Sequence, residues 1–216
     1  MQVCGFLDMP NMALEGSLPP ALSDFLAAGA APIYMTLGSW MPKDLEQQRA
    51  SVQLFTDAAR QAGCRAIIQS SSAAQCGFES CAQFLYIAAA PHHAIFPHCA
   101  LVVHHGGAGT TQAAALAGRP SVVIAHISEQ EHWGAELQRI GVAGKPARRR
   151  RVCAKTLARQ ICQVRDTPAM AARASAVAAP MRCENGVIEA VTLIGRHLAG
   201  LDGAVPGDYI NDSQVS

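Results

Sequence analysis

Two histidines, three glycines and two threonines stand together in His104-His105-Gly106-Gly107-Ala108-Gly109-Thr110-Thr111, directly after the apolar run Leu101-Val102-Val103. A strand that runs into glycines and then opens a helix brings bare backbone N–H groups up to a phosphate. Glycine turns with no side chain in the way, and the helix N-terminus adds unpaired donors and the positive end of a dipole. Thr110 and Thr111 add hydroxyl donors, and the histidines stand at the C-terminal edge of the strand, where open α/β sheets bind ligands. The chemistry expected here is recognition of a phosphorylated ligand, a nucleotide. The loop has no lysine where an NTPase phosphate loop needs one, and it follows the fourth expected strand rather than the first, which argues against a dinucleotide fingerprint. His92, His93 and His98 are spaced near one another, but no carboxylate or cysteine is placed to complete a metal site.

The elements that must position this segment read as alternating strands and helices. Pro32–Leu37 is expected as a first buried strand ended by Gly38-Ser39, and Asp44–Ala62 as a helix with Leu45, Val52, Phe55 and Ala59 near one face and Gly63 as its stop. Cys64–Gln69 and Phe84–Ala88 follow as strands two and three, and a short helical turn is expected near Ala94–Phe96. Leu101–Val103 is the fourth strand, Ala108–Ala117 the helix behind the glycines, and Ser121–Ala125 the fifth strand. Glu131–Ile140 is expected to be helical, Gly141–Ala143 to be a short sixth strand, and three helices to fill 153–200. A short helix around Ala21–Ala28 lies in an otherwise irregular entry segment. This alternation with short polar links predicts an α/β, Rossmann-like parallel sheet with helices on both faces. Its loops would gather Gly38-Ser39, Ser70-Ser71, Pro91-His92, the His-Gly-Gly segment and Ser128-Glu129-Gln130 along one edge.

Composition narrows the function classes. A 216-residue chain with 50% hydrophobic content can fill one core, and 17 Lys+Arg against 16 Asp+Glu leaves no bulk charge for nucleic acid. Arg148–Arg151 is the one dense basic run, expected as a solvated loop, with a membrane-surface or partner contact as the alternative. Eight cysteines show no C-x-x-C pair, and Cys64 and Cys99 sit in apolar runs, as reduced core thiols of a cytoplasmic protein do. No stretch reaches the roughly 20 apolar residues of a membrane span. The organisation expected is an entry segment over 1–31, a ligand-binding domain over 32–200 and a flexible tail over 201–216.

At the level of motifs, the chain resembles the C-terminal, donor-binding half of a GT-B nucleotide-sugar glycosyltransferase, in the bacterial and fungal group that glycosylates sterols, macrolides, glycopeptides and lipids. The likeness is carried by PIYMTLGSW from Pro32 to Trp40, by APHHAIFPHCALVVHHGGAGTTQAAALAGRP from Ala90 to Pro120, and by SEQEHWG from Ser128 to Gly134. The resemblance implies that His105, Gly107, Gly109, Thr110, Thr111 and Ser39 bind the donor diphosphate. It implies that Ala90, Pro91 and His92 line the nucleobase slot, and that Glu129 and Gln130 bind the sugar. The substrate implied is a UDP- or dTDP-linked hexose, held with no metal and no cofactor. Three positions depart from the pattern: Glu129 stands where aspartate is usual, Ala125 where a proline often precedes the sugar motif, and Ala113 where plant relatives carry a ribose-binding glutamate.

Members of this group carry an N-terminal acceptor-binding domain whose histidine acts as general base for inverting transfer. The roughly 30 residues before Pro32 are too few to form such a domain, so no catalytic residue is expected in this chain. The expected partners are a nucleotide sugar and an acceptor domain or separate subunit; a lipid acceptor would add peripheral membrane contact. Two alternatives stand beside this reading: a nucleotide-sugar-binding module without turnover, and a fragment of a sugar-nucleotide epimerase, against which the His-His-Gly-Gly text argues.

Overall fold

The computed structural model describes residues 3–7 and 18–200, so the tail expected over 201–216 and much of the entry segment lie outside the described residues. Chain contacts group residues 11–182 into one unit, and residues 1–10 with 183–216 into a second. The sequence reading placed 183–200 with the ligand-binding domain; these residues group with the N-terminal segment.

The larger unit is built on a six-stranded, wholly parallel sheet: β1 (Ile33–Met35), β2 (Ala66–Gln69), β3 (Phe84–Ile87), β4 (Leu101–His104), β5 (Ser121–Ala125) and β6 (Ala147–Arg148). The strand order is β3-β2-β1-β4-β5-β6. Ile33 pairs with Ala66 on one side and with Leu101 on the other, so the chain reverses its direction of travel across the sheet between β1 and β4. Outside the carboxyl ends of strands at such a reversal lies the crevice where α/β sheets bind ligands.

Alternation along each strand divides the core. Ile33, Met35, Ile68, Val103, Val122 and Ile124 face a cluster completed by Val52, Phe55, Leu157 and Ile161. These last four belong to helices α2 (Leu45–Gln61) and α6 (Ala154–Arg165), which cover that face. Tyr34, Ile67 and Val102 turn to the opposite face and meet α1 (Pro20–Ala27) through Leu22 and Phe25. The same cluster takes in Ile95 from α3 (His92–Ile95) and Ala114 from α4 (Ala108–Leu116). Further along that face Val123 and Ala125 pack with Leu137 of α5 (Ser128–Arg139) and Ala174 of α7 (Pro168–Met181). Strands covered on both faces have no polar side to show, which is why they read as continuous apolar runs.

Local chemistry sets the helix ends. The Asp44 carboxylate caps α2 by accepting the Gln47 N–H at 2.9 Å, and α4 stops at Gly118, whose φ of +68° ends the helix without strain. Leu45, expected on the buried face of α2, is 48% exposed, because it opens the helix before its first turn meets the sheet. The sixth strand also differs from expectation. Gly141–Ala143 form a turn in which Ala143 makes a single bridge to Ser121, and the regular pairing belongs to Ala147 and Arg148. Val142 and Ala143 are apolar because they are buried in the core beside Val123.

In the smaller unit, α8 (Gly186–Leu198) follows a junction in which the Phe6 N–H donates to the Glu184 carboxylate at 3.2 Å. Gly186 is required there, since a Cβ would overlap the Phe6 carbonyl. No helix among the described residues is long and apolar enough to cross a membrane.

Candidate functional site

Three loops meet at the reversal point. The first follows β1. Thr36 donates its hydroxyl to Gln69 Oε1 at 2.8 Å and accepts the Gly38 N–H at 2.9 Å, so β2 braces the turn through one side chain. Tyr34 donates to the same Gln69 oxygen at 3.0 Å. Gly38, at φ +56°, then enters a 3-10 turn over Gly38–Trp40 that leaves Ser39 exposed.

The second loop follows β4, which extends one residue beyond expectation to include His104. His104 is fully buried, and its Nδ1 accepts the Gly106 N–H at 3.1 Å. That bond requires an unprotonated Nδ1 and places the ring proton on Nε2. Burial, reinforced by the charges of His105 and His92, lowers the His104 pKa to about 3. Gly106 has φ +88°, and a Cβ there would lie 2.8 Å from the Gln130 carbonyl oxygen. Glycine is therefore demanded twice, by the turn and by the approach of the third loop.

His105 lies at the centre. Its imidazole packs between two glycines: a Cβ on Gly38 would come within 2.7 Å of Cε1, and a Cβ on Gly107 would collide with Nε2. The ring is 6% exposed, its Nδ1 is buried without a hydrogen-bond partner, and burial lowers its pKa. Gly107 precedes α4 with φ −66° and ψ 146° and supplies no side-chain cap. The Thr111 N–H is already bonded to the Gly107 carbonyl at 3.0 Å, so the free amides of the first turn are those of Ala108, Gly109 and Thr110. Gly109 is exposed, with open space where a Cβ would stand, whereas Thr110 and Thr111 are buried. The Thr111 hydroxyl oxygen has no partner.

The third loop follows β5. Glu129 and Gln130, expected in a loop before a helix at Glu131, instead occupy the first turn of α5, which begins at Ser128. Glu129 is exposed. Gln130 is 1% exposed, and its Oε1 accepts the His126 N–H at 2.8 Å, which ties the loop to the helix. His126 packs beside Trp40, ring centroids 5.6 Å apart. Its pKa falls to about 4 through burial and the neighbouring charges of Arg149 and His105. Arg149 shows that the basic run is not a uniform solvated loop: it is half-buried and donates to Ser51 Oγ at 3.1 Å. Arg148 lies in β6 and pairs with Glu131 through two contacts of 2.7 and 2.8 Å.

Ala90 and Pro91 lie between β3 and α3, and His92 opens α3. His92 stacks on Phe96 at 4.5 Å with an interplanar angle of 16°, and meets Tyr34 edge-on at 5.8 Å. Burial and the nearby His105 lower its pKa. Pro91 is exposed and Ala90 half-buried, so the loop offers backbone groups and one stacked ring to its surroundings.

The structure thus joins His105, Gly107 and the loop holding Ser39, and brings Gln130 against Gly106. The sequence reading placed Gly38 and Gly106 in these loops without the contacts that require them, and missed Thr36, Gln69, His126 and Arg149, which hold the loops together. A Thr-x-Gly step after a buried strand was the available signal for the first of them. No group of three or more metal-ligating side chains converges among the described residues.

Residues 53–194 match the family model described as erythromycin biosynthesis protein CIII-like, C-terminal domain. The chain is 34% identical over 175 residues to O-mycaminosyltylonolide 6-deoxyallosyltransferase of Streptomyces fradiae, covering 81% of this chain and 40% of that protein. It is 31% identical over 183 residues to vancomycin aglycone glucosyltransferase of Amycolatopsis orientalis, covering 83% and 42%. Among solved structures it is similar to glycosyltransferase VinC in complex with DTDP, with a TM-score of 0.68 at 22% identity over 84% of this chain and 44% of that one. The chain therefore spans less than half the length of these relatives, and its fold is that of one Rossmann-like half of a GT-B glycosyltransferase.

Proposed function

The chain belongs to the erythromycin biosynthesis protein CIII-like C-terminal domain family, and on that premise we propose that it is the donor-binding half of an inverting glycosyltransferase that moves a hexose from a UDP- or dTDP-linked sugar to a hydroxyl of a lipid, sterol or natural-product acceptor. The observation that carries this reading is the His105 imidazole held between Gly38 and Gly107 beside an uncapped helix start.

In this reading the donor diphosphate meets the free amides of Ala108, Gly109 and Thr110, the hydroxyls of Ser39, Thr110 and Thr111, and the unpartnered ring nitrogen of His105. These donors and the α4 dipole stabilise the charge that builds on the leaving diphosphate as the glycosidic bond breaks. They are fixed before the ligand arrives, so little reorganisation opposes that stabilisation. Ala90, Pro91 and His92 line the nucleobase slot. Glu129 bonds sugar hydroxyls from the first turn of α5, and Gln130 secures that turn from beneath while completing the sugar site. The general base comes from an acceptor-binding partner domain or subunit, and protein donors alone hold the diphosphate, with no metal ion.

Calorimetric titration with UDP, dTDP, UDP-glucose and NAD, without added metal, tests the reading. Saturable binding of UDP or dTDP but not NAD is the expected result and names the base. A folded chain that binds NAD in preference, or binds none of the four, overturns it. In the same assay His105→Ala should weaken UDP or dTDP by about 1.5–3 kcal/mol if its hydrogen bond goes to a charged oxygen.

A further inference from the structure

A second concave site lies away from the three loops, where β6 meets the start of α6. It is a cavity of about 410 Å³ whose rim carries Lys145, Arg148, Arg151 and Arg159. These four cations come from four different places: the loop before β6, β6 itself, the 3-10 turn after it, and the second turn of α6. Glu131 neutralises Arg148 through its paired contacts and holds that guanidinium still. Lys145, Arg151 and Arg159 make no ion pair among the described residues. Converging like charges raise the positive potential at the cavity, and an anion entering it lowers that potential. The floor adds a second signature. Gln160 donates its amide nitrogen to the Lys145 carbonyl at 2.9 Å, which fixes the side chain's orientation, and its Oε1 is left buried without a partner. Three cations without an ion pair among the described residues, set around one cavity, match a ligand that carries several anionic oxygens. Arginine forks suit phosphate in particular.

We propose that this cavity is a second binding site, separate from the three-loop site, for a ligand bearing clustered phosphates, either a soluble polyphosphate or the headgroup of an anionic lipid. The site needs no part of the donor reading and stands or falls without it.

The test uses the full chain, an Arg151→Glu/Arg159→Glu variant, and an Arg60→Glu/Arg173→Glu variant with the same change in charge placed elsewhere. All four arginines are exposed, so both variants should fold. Inorganic tripolyphosphate is titrated calorimetrically, with a His105→Ala variant added to separate this cavity from the three-loop site, and sedimentation is measured with phosphatidylcholine vesicles containing phosphatidylinositol bisphosphate. The expected result is saturable binding of at least one probe, retained in His105→Ala, weakened at least about tenfold by the cavity variant and little by the control. Tripolyphosphate binding alone identifies a soluble ligand, and vesicle binding alone a lipid headgroup. If neither probe binds, if the cavity variant and the control lose binding equally, or if His105→Ala abolishes binding, the site does not exist.

Discussion

Replacing Gly107 with alanine isolates the contact on which the site is built. At φ −66° and ψ 146° the backbone of Gly107 is one that alanine adopts freely. With nothing in the way, the substitution would stabilise the chain by about 0.4–1 kcal/mol, because alanine restricts the unfolded state. The new methyl group, however, falls on His105 Nε2, with Cε1 and Cδ2 only 3.1 and 3.2 Å away. The ring cannot swing toward β1, because Gly38 closes that side at 2.7 Å from Cε1 to a Cβ position. The turn must therefore shift, and overpacking of this kind costs about 1–3 kcal/mol. We expect Gly107→Ala to destabilise by roughly 1–2 kcal/mol net, a fall in Tm of about 2–8 °C for a chain of this size. In the His105→Ala background the obstacle is gone, and the same substitution should become neutral or stabilising. Urea unfolding of the two single variants and the double variant yields the coupling directly, expected at about 1–3 kcal/mol. An equal effect of Gly107→Ala in both backgrounds would refute the packing of His105 between the two glycines.

Other expectations follow from the same geometry. Gln130→Leu leaves the half-buried His126 N–H without its side-chain partner and should cost about 0.5–1.5 kcal/mol in urea unfolding; an unchanged midpoint would show that the loop is held by something else. Glu129→Ala should weaken binding of the nucleotide sugar while sparing the free nucleoside diphosphate, and equal loss for both, by calorimetry, would make Glu129 a structural residue. Because burial holds the His104 pKa at about 3 in the fold, against about 6.5 in an unfolded chain, the unfolded state binds the extra proton as pH falls. Stability is then complete above the unfolded value and declines below it by about 1.4 kcal/mol per pH unit from His104 alone. His126, lowered to about 4, acts in the same direction. Urea midpoints that stay level between neutral and mildly acidic pH would contradict this, and His104→Asn should flatten the slope.

Strands and helices were legible where burial is two-sided or periodic. Val122 through Ala125 could only be a covered strand, and Val52, Phe55 and Ala59 could only be one face of a helix. Ala147-Arg148 carries no such signal: as a two-residue edge strand it pairs through backbone and shows an arginine to solvent, while the apolar text nearby, at Val142 and Ala143, belongs to a core turn. The start of α5 was misplaced because its N-cap is Ile127, which offers no capping side chain to read. His105 and the glycines after it were visible as a phosphate-binding motif. Gly38 was visible as the end of a strand and the start of a crevice loop, but its need for a bare Cα was not, since that arises from a ring 67 positions away in the chain and brought close by the β1–β4 pairing. Arg149 was misread for a related reason: its charge run suggests solvent, but its fate is decided by Ser51 across the fold.

That β1–β4 pairing also orders events in time. As the chain leaves the ribosome, β1, β2 and β3 can pair in succession, and the turn at Gly38 can form against Thr36 and Gln69 with everything it needs already made. His105 arrives only after β4 inserts on the far side of β1, a closure between distant segments, which is the slow kind in parallel sheets. Until then Gly38 faces an empty slot, and the sheet has an open central edge at Ile33–Met35 that any extended segment can occupy. The step that completes the cradle around His105 is thus the same step that covers the open edge of β1, so the three-loop site and the protection of that edge are completed together.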